Sequence, residues 1–215
     1  MKLEQPGQDS IGKLHVISTG QQPGEELMRI IGQVLPYVDS VHLREKEWSD
    51  RQMICFTQQL YSVGMPMHKL ILNHRATIAD KVKAKGVQLT HASMNQVKVR
   101  RLYPDLTIGC SVHSVQEAVR AWHDGADYLI FGHVFTSSSK PGLSPKGIRE
   151  LKKVVQHVRV PVLAIGGITP ENTNVVMEAG ASGVAVLSGV LLADDPVEKA
   201  VAYREAIRKG GAGNV

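Results

Sequence analysis

The chain has few cysteines, and no metal-binding or redox pattern is built from them. Its 215 residues include two cysteines, Cys55 and Cys110, and no C-x-x-C pair. A zinc site and a thioredoxin-like redox motif are therefore not indicated. Two isolated thiols are typical of a reducing compartment.

Long apolar runs and dense basic stripes are also missing. No apolar run approaches the ~18 residues of a membrane span, and the N-terminus lacks the apolar core of a signal peptide. We therefore predict a cytoplasmic protein that acts away from membranes. The net charge of +5 suits an anionic small molecule, and no stripe of basic and aromatic residues indicates nucleic acid. We interpret the densest basic cluster, Lys98, Arg100 and Arg101, as a solvated helix face.

What the sequence does contain is a regular alternation of short apolar runs and helix-like stretches. Eight candidate strands cover residues 14–18, 40–44, 69–73, 86–89, 107–111, 127–131, 161–165 and 183–187. Eight such repeats in about 200 residues predict one (β/α)8 TIM barrel over residues 1–215, with 1–12 and 210–215 as loose ends. The alternative, an open doubly wound sheet, places a G-x-G-x-x-G loop after the first strand, and none is present. Oligomeric state is left open, with a homo-oligomer among the states considered.

Helical segments lie between the candidate strands and carry recognisable start and stop signals. Residues 25–35 and 49–63 have apolar residues at three- and four-residue spacing. Ser114 followed by Glu117 predicts a capping box, and Thr169 with Pro170 predicts an N-cap and first helical turn. Gly125 and Gly180 stand where a left-handed residue ends a helix.

In such a barrel, ligands bind at the C-terminal ends of the strands. The seventh strand is followed by Gly166 and Gly167, and the eighth by Leu187 and Ser188. Backbone N–H groups in glycine-rich loops at these positions bind phosphate in many barrels. We predict a phosphate site here; the alternative is that the glycines only form tight turns.

Polar residues at other strand ends predict further ligand contacts. His42, Arg44 and Lys46 share one parity on the second strand and are expected at the barrel mouth, with a surface ion cluster as the alternative. Asn73, at the end of the third strand, could bind a ligand or cap the next helix. Ser111 ends the fifth strand.

Two histidines are the leading candidates for acid–base chemistry, because an imidazole pKa lies near neutrality. His133 follows the sixth strand and His113 follows the fifth. The loop after His133 offers hydroxyl and ammonium donors for a phosphate or carboxylate, from Ser137, Ser138, Ser139 and Lys140.

These residues together resemble the thiamin phosphate synthase superfamily over nearly the whole chain. The matching blocks include L-R-E-K at 43–46, S-V-H-S at 111–114, F-G-H-V-F at 131–135, A-I-G-G-I at 164–168 and G-V-A-V-L-S-G at 183–189. The resemblance implies a β/α barrel that binds phosphorylated intermediates of thiamin synthesis.

The chain departs from the synthase pattern at its metal-binding acids and after the sixth strand. Synthases carry N-D-R-x-D after strand three and an aspartate after strand four, which hold Mg²⁺ against a pyrimidine diphosphate. Here His74, Thr77 and Ser93 replace those acids, and His133 replaces a proline. This pattern resembles the thiazole tautomerase (TenI) branch.

That resemblance implies an isomerase that aromatises a thiazole phosphate carboxylate, with His133 and His113 as acid–base groups and no metal or redox cofactor. His133 would remove the ring proton, and either histidine would return it. The alternatives are a thiamin phosphate synthase, which is a transferase, and a non-catalytic barrel that binds a thiamin-related ligand to regulate a partner.

Overall fold

The eight predicted strands form a closed barrel in a computed structural model that describes residues 12–211. Every neighbouring pair is parallel, and the first strand closes the barrel by pairing with the eighth. The loose ends expected at the two termini lie almost wholly outside the described residues. The strands are β1 Lys13–Ile17, β2 Ser40–Leu43, β3 Leu70–Asn73, β4 Gly86–Leu89, β5 Thr107–Val112, β6 Tyr128–Gly132, β7 Val162–Ile165 and β8 Gly183–Val186.

Alternation along each strand divides the buried residues into two clusters. Val41 and Leu43 belong to the large cluster between the strands and the surrounding helices. Ile17, Ile71 and Tyr128 belong to a smaller cluster inside the barrel. The two-residue period of a strand produces this division, because successive side chains point to opposite faces of the sheet.

Helices follow the strands and cover the outside of the barrel. They are α1 Gly24–Val34, α2 Asp50–Ser62, α3 Ala76–Lys81, α4 Gln96–Leu102, α5 Val115–His123, α6 Gly147–His157, α7 Pro170–Glu178, α8 Ser188–Leu191 and α9 Pro196–Gly211. Two 3₁₀ turns, Leu35–Tyr37 and Met67–Lys69, precede β2 and β3. None of the helices in residues 12–211 is both long and apolar enough to cross a membrane.

The predicted helix ends are confirmed, with one difference in detail. Gly125 and Gly180 have φ of 94° and 91°, the left-handed conformation expected after a helix. Thr169 precedes α7, and its backbone N–H donates to Asn172. Ser114 accepts from the backbone N–H of Glu117, but the Glu117 carboxylate accepts from the backbone N–H of His113 rather than from Ser114.

The basic cluster on α4 is only partly the solvated face that the sequence predicts. Lys98 and Arg101 are exposed, whereas Arg100 is half-buried. The Arg100 guanidinium donates to the carbonyls of Pro104, Leu106 and Gly125 and to the Asp127 carboxylate at 2.6 Å. Arg100 therefore ties α4 to the starts of β5 and β6, because its fixed fork of donors satisfies several loop carbonyls at once.

Candidate active site

One pocket of about 970 Å³ opens at the C-terminal ends of the strands. This volume lies at the upper end of the ~300–1,000 Å³ typical of ligand sites. All fourteen residues predicted to bind or react with substrate line it, so the structure brings the whole predicted set together. The lining residues among the predictions are Arg44, Lys46, Asn73, Ser111, His113, His133, Ser137, Ser138, Ser139, Lys140, Gly166, Gly167, Leu187 and Ser188.

One end of the pocket, here called the glycine end, consists of Gly166 and Gly167 after β7 and Leu187 and Ser188 after β8. Both glycines have positive φ, 96° and 63°, which favours glycine. A Cβ on Gly166 would lie 2.2 Å from the Cβ of His133. The glycines therefore form a turn, as the alternative interpretation required, and also let the loop after β6 pack closely against the one after β7.

His133 lies at the end of β6 and is nine-tenths buried. Its Nε2 is 3.2 Å from the carbonyl oxygen of Leu143. Because a carbonyl only accepts, Nε2 carries the proton in this contact and Nδ1 is the ring nitrogen left for a ligand. His133 thus connects the pocket wall to the loop that carries Ser137, Ser138, Ser139 and Lys140.

His113 is more open to solvent than His133. Its side chain is 45% exposed, and its Nδ1 lies 3.2 Å from the Glu117 carboxylate. The same carboxylate accepts from the His113 backbone N–H. The first residues of α5 therefore fix the orientation of this imidazole at the pocket rim.

The opposite end of the pocket, here called the cationic end, consists of Arg44, Lys46, Asn73 and His74. No hydrogen bond or ion pair within residues 12–211 joins the side chain of Arg44 or Lys46 to another group. The Asn73 amide oxygen is buried and has no hydrogen-bond partner in the same part of the chain. The unpartnered side chains of Arg44 and Lys46 are available to a ligand, whereas the Asn73 oxygen is buried close to His42.

Arg75, beside the cationic end, is committed to the protein itself. Its guanidinium contacts Asp50 at 2.5 Å and donates to the carbonyl of Trp48 and, at 3.4 Å, to that of Glu45. These contacts join the start of α3 to the loop between β2 and α2. Arg75 therefore holds the segment from which Lys46 projects.

His74 and Ser93 occupy two positions where the resemblance places metal-binding acids. The His74 Nδ1 lies 2.7 Å from the Ser93 hydroxyl, which also accepts from the backbone N–H of Thr90 at 2.9 Å. Burial, followed by the positive charges of Arg44 and Lys46, lowers the pKa of His74. Thr77, the third position, instead forms a 2.9 Å hydrogen bond with the hydroxyl of Tyr103.

These residues do not fit a Mg²⁺ site. Mg²⁺ prefers hard oxygen ligands, usually carboxylates together with substrate phosphates. Residues 12–211 contain no group of three or more His, Cys, Asp or Glu side chains that could hold a metal ion. The imidazole and hydroxyl at the cationic end already satisfy each other.

A layer of buried polar groups lies inside the barrel. His15 Nδ1 and His42 Nε2 are 2.9 Å apart, and the Tyr128 hydroxyl donates to Gln88 at 2.7 Å. The prediction that His42 reaches the barrel mouth with Arg44 and Lys46 is therefore wrong. The alternation along β2 does direct His42 inward. However, His42 lies two residues before Arg44, deeper inside the barrel, and is fully buried against His15.

Several pocket residues were not predicted as site residues. His91 lines the pocket, as do Glu45, Thr90 and Gln88. Gln88 could have been predicted from the alternation of side chains along β4, because this alternation directs the residue before the last one into the barrel. His91 and Thr90 lie in the loop after β4, whose path no sequence pattern fixes.

Comparison with known proteins identifies the family. The family model described as thiamine monophosphate synthase matches residues 14–190. The chain belongs to the thiamine monophosphate synthase family. It is 42% identical to the thiamine-phosphate synthase of Chloroflexus aurantiacus over 160 residues, which are 72% of this chain and 73% of that protein. It is 36% identical to that of Clostridium acetobutylicum over 181 residues, 80% and 82% of the two chains.

Solved structures agree on the fold of this family member. Thiamine phosphate pyrophosphorylase from Pyrococcus furiosus superposes with a TM-score of 0.81 and 30% identity, over 94% of this chain and 98% of that one. A 3-hexulose-6-phosphate synthase matches with a TM-score of 0.68 and 19% identity, which shows only the shared barrel.

These relatives contradict the expected thiazole tautomerase. The similar proteins are named thiamine-phosphate synthases, and the solved relative is named a thiamine phosphate pyrophosphorylase; these are names of transferases and not of isomerases. The expectation gave too much weight to His133, whose Nε2 is engaged by the Leu143 carbonyl. A histidine at a strand end can support a loop as well as transfer a proton, and sequence position does not distinguish the two.

Proposed function

We propose that this member of the family is a thiamine-phosphate synthase, a transferase that joins a pyrimidine diphosphate to a thiazole phosphate with release of diphosphate. The observation that carries the proposal is that two groups of candidate anion-binding residues, from different strand ends, line one pocket. Arg44 and Lys46 mark the cationic end, and Gly166 and Gly167 mark the glycine end. A coupling reaction needs both, because each substrate brings its own phosphate group.

The glycine end suits the thiazole phosphate, because backbone N–H groups and the Ser188 hydroxyl can surround a phosphate there. Lys140 and the neighbouring serines line the same pocket and add further donors. This arrangement supports binding of the two reacting groups side by side, which converts an encounter in solution into a reaction within one complex. His133 and His113 are proposed to position the surrounding loops and to contact substrate.

The proposal is tested by incubating the chain with the pyrimidine diphosphate and the thiazole phosphate. Thiamine phosphate and diphosphate are expected in equal amounts, as measured by chromatography. Arg44→Gln is expected to lower kcat/KM by about tenfold or more, since one charge-assisted contact is lost. Lys152→Gln, on the exposed outer face of α6, is the matched control and should leave turnover unchanged. Absence of product from the unaltered chain, with or without Mg²⁺, would contradict the proposal.

A second candidate function is a barrel that binds a thiamin-related ligand without turnover. The pairing of His74 with Ser93, in place of acids, favours it. Tight binding of thiamine phosphate by calorimetry, combined with no coupling in the assay above, would support this candidate over the transferase.

A further inference from the structure

Positive charge is poorly compensated around the pocket. Its lining includes four Lys or Arg side chains, namely Arg44, Lys46, Arg75 and Lys140, and a single carboxylate, Glu45. Arg75 forms an ion pair with Asp50, and Glu45 is buried, with 5% of its surface exposed. Arg44 and Lys46, which project from the end of β2, face the pocket without an ion-pair partner in residues 12–211. Unpaired cations at a pocket wall favour an anionic ligand.

The neighbouring polar groups add hydrogen-bonding capacity but no negative charge. His74 and Ser93 bond to each other, and the hydroxyl of Thr90 lies 3.4 Å from the same His74 nitrogen. His91 lines the same wall. A divalent cation placed here would meet Arg44 and Lys46 with Glu45 as the one carboxylate of the lining, which is electrostatically unfavourable. An anion would meet donors from β2, β3 and the loop after β4.

We infer that the cationic end binds a diphosphate group directly through Arg44 and Lys46, without a divalent cation as intermediary. The identity of the ligand as a diphosphate rests on the proposed function, whereas the charge of the site does not. Guanidinium and ammonium groups are strong donors to phosphate oxygens, and Arg can contact two of them at once. In this site the protein's own cations neutralise the diphosphate as it binds.

The test measures binding of inorganic pyrophosphate by isothermal titration calorimetry, once in EDTA and once with excess Mg²⁺. Binding in EDTA is expected to be at least as tight as with Mg²⁺, since the metal competes with Arg44 and Lys46 for the same oxygens. Lys46→Gln and Arg44→Gln should each weaken binding in EDTA by about tenfold. Lys152→Gln serves again as the control of equal charge change. Tighter binding with Mg²⁺ than in EDTA would overturn the inference.

A pair of double variants tests the same point by adding the missing carboxylates. His74→Asp with Ser93→Asp is expected to lower pyrophosphate affinity in EDTA by about tenfold or more, and Mg²⁺ should restore it. His74→Asn with Ser93→Asn has side chains of the same size without charge and should show no Mg²⁺ dependence. Because His74 has a φ of 66°, Asp and Asn are suitable there, as both tolerate the left-handed region. Equal behaviour of the two double variants would contradict the inference.

Failure of this inference can be told from failure of the proposed function. Metal-independent pyrophosphate binding without coupling would support the inferred anion site and contradict the proposed transferase function. Coupling that requires Mg²⁺, together with Mg²⁺-dependent pyrophosphate binding, would support the transferase function and contradict the inference of a metal-independent site.

Discussion

The hydroxyl of Tyr203, on α9, donates a 2.7 Å hydrogen bond to the carbonyl oxygen of Ile168, in the loop after β7. Tyr203 is 2% exposed, and burial raises the pKa of its hydroxyl to about 12. A Cβ on Gly189 would lie 2.6 Å from the same hydroxyl. One phenol on the last helix therefore supports both loops of the glycine end.

Tyr203→Phe is expected to destabilise the fold by about 1–2 kcal/mol, because the buried Ile168 carbonyl loses its donor. The loops at the glycine end should also loosen, which raises KM for the thiazole phosphate more than it lowers kcat. Urea unfolding and steady-state kinetics measure the two effects. Tyr61→Phe is the control, since Tyr61 is 69% exposed. Equal stability of the two variants would show that the buried hydrogen bond contributes nothing.

Gly109 makes room for the hydrogen bond between Tyr128 and Gln88 inside the barrel. A Cβ there would lie 2.2 Å from Gln88 Oε1 and 2.3 Å from the Tyr128 hydroxyl. Gly109→Ala should therefore cost about 1–3 kcal/mol of unfolding free energy, as overpacked cores do. Gly32→Ala, at an exposed position of α1 with nothing within 4 Å of the added Cβ, should instead gain about 0.5–1 kcal/mol. Chemical denaturation distinguishes the opposite signs, and a neutral Gly109→Ala would refute the packing argument.

Arg75→Lys tests whether the loop between β2 and α2 positions Lys46. A lysine cannot reproduce the contacts with Asp50 and the carbonyl of Trp48 together. We expect a loss of about 1–2 kcal/mol in stability and weaker pyrophosphate binding, because half-buried carbonyls lose their donor. Asp50→Asn removes only the exposed ion pair and should cost below about 1 kcal/mol. If both variants behave alike, the ion pair and not the carbonyl contacts holds the loop.

Much of the fold could be predicted because its signals are local. Each observed strand begins and ends within one residue of its predicted position, and β4 matches at both ends. Gly125 and Gly180 end helices because only a left-handed residue fits there. The alternation of strands and helices then leaves few topologies, and eight repeats close into a barrel.

Site residues could be predicted where the position of the backbone alone brings them to the pocket. They could not be predicted where their placement depends on the side-chain or loop partners they contact. Gly166, Gly167 and Arg44 reach the pocket because strand ends converge there. The engagement of His133 by Leu143, ten residues later, depends on the path of a loop that no sequence pattern defines. The depth of His42 depends on its partner His15, on a neighbouring strand.

The buried pair of His15 and His42 predicts how stability depends on pH. Burial lowers the pKa of His42 to about 3, and burial, followed by the repulsion that a protonated His42 would exert, lowers that of His15. Both imidazoles are neutral in the folded barrel, whereas in the unfolded chain they bind protons below about pH 6.5. The unfolded state therefore takes up more protons as the pH falls, so stability is full above that value and is lost towards pH 3.

Each histidine should contribute a slope approaching about 1.4 kcal/mol per pH unit below its unfolded pKa. Urea unfolding between about pH 7.5 and 5 measures this slope while most carboxylates stay ionised. His42→Gln keeps a hydrogen-bonding group beside His15. It should reduce the slope of unfolding free energy against pH by the contribution of one histidine. If that variant does not fold, the imidazole resonances of the unaltered protein provide a second measurement. Resonances of His42 that titrate near pH 6.5 would contradict the buried neutral pair.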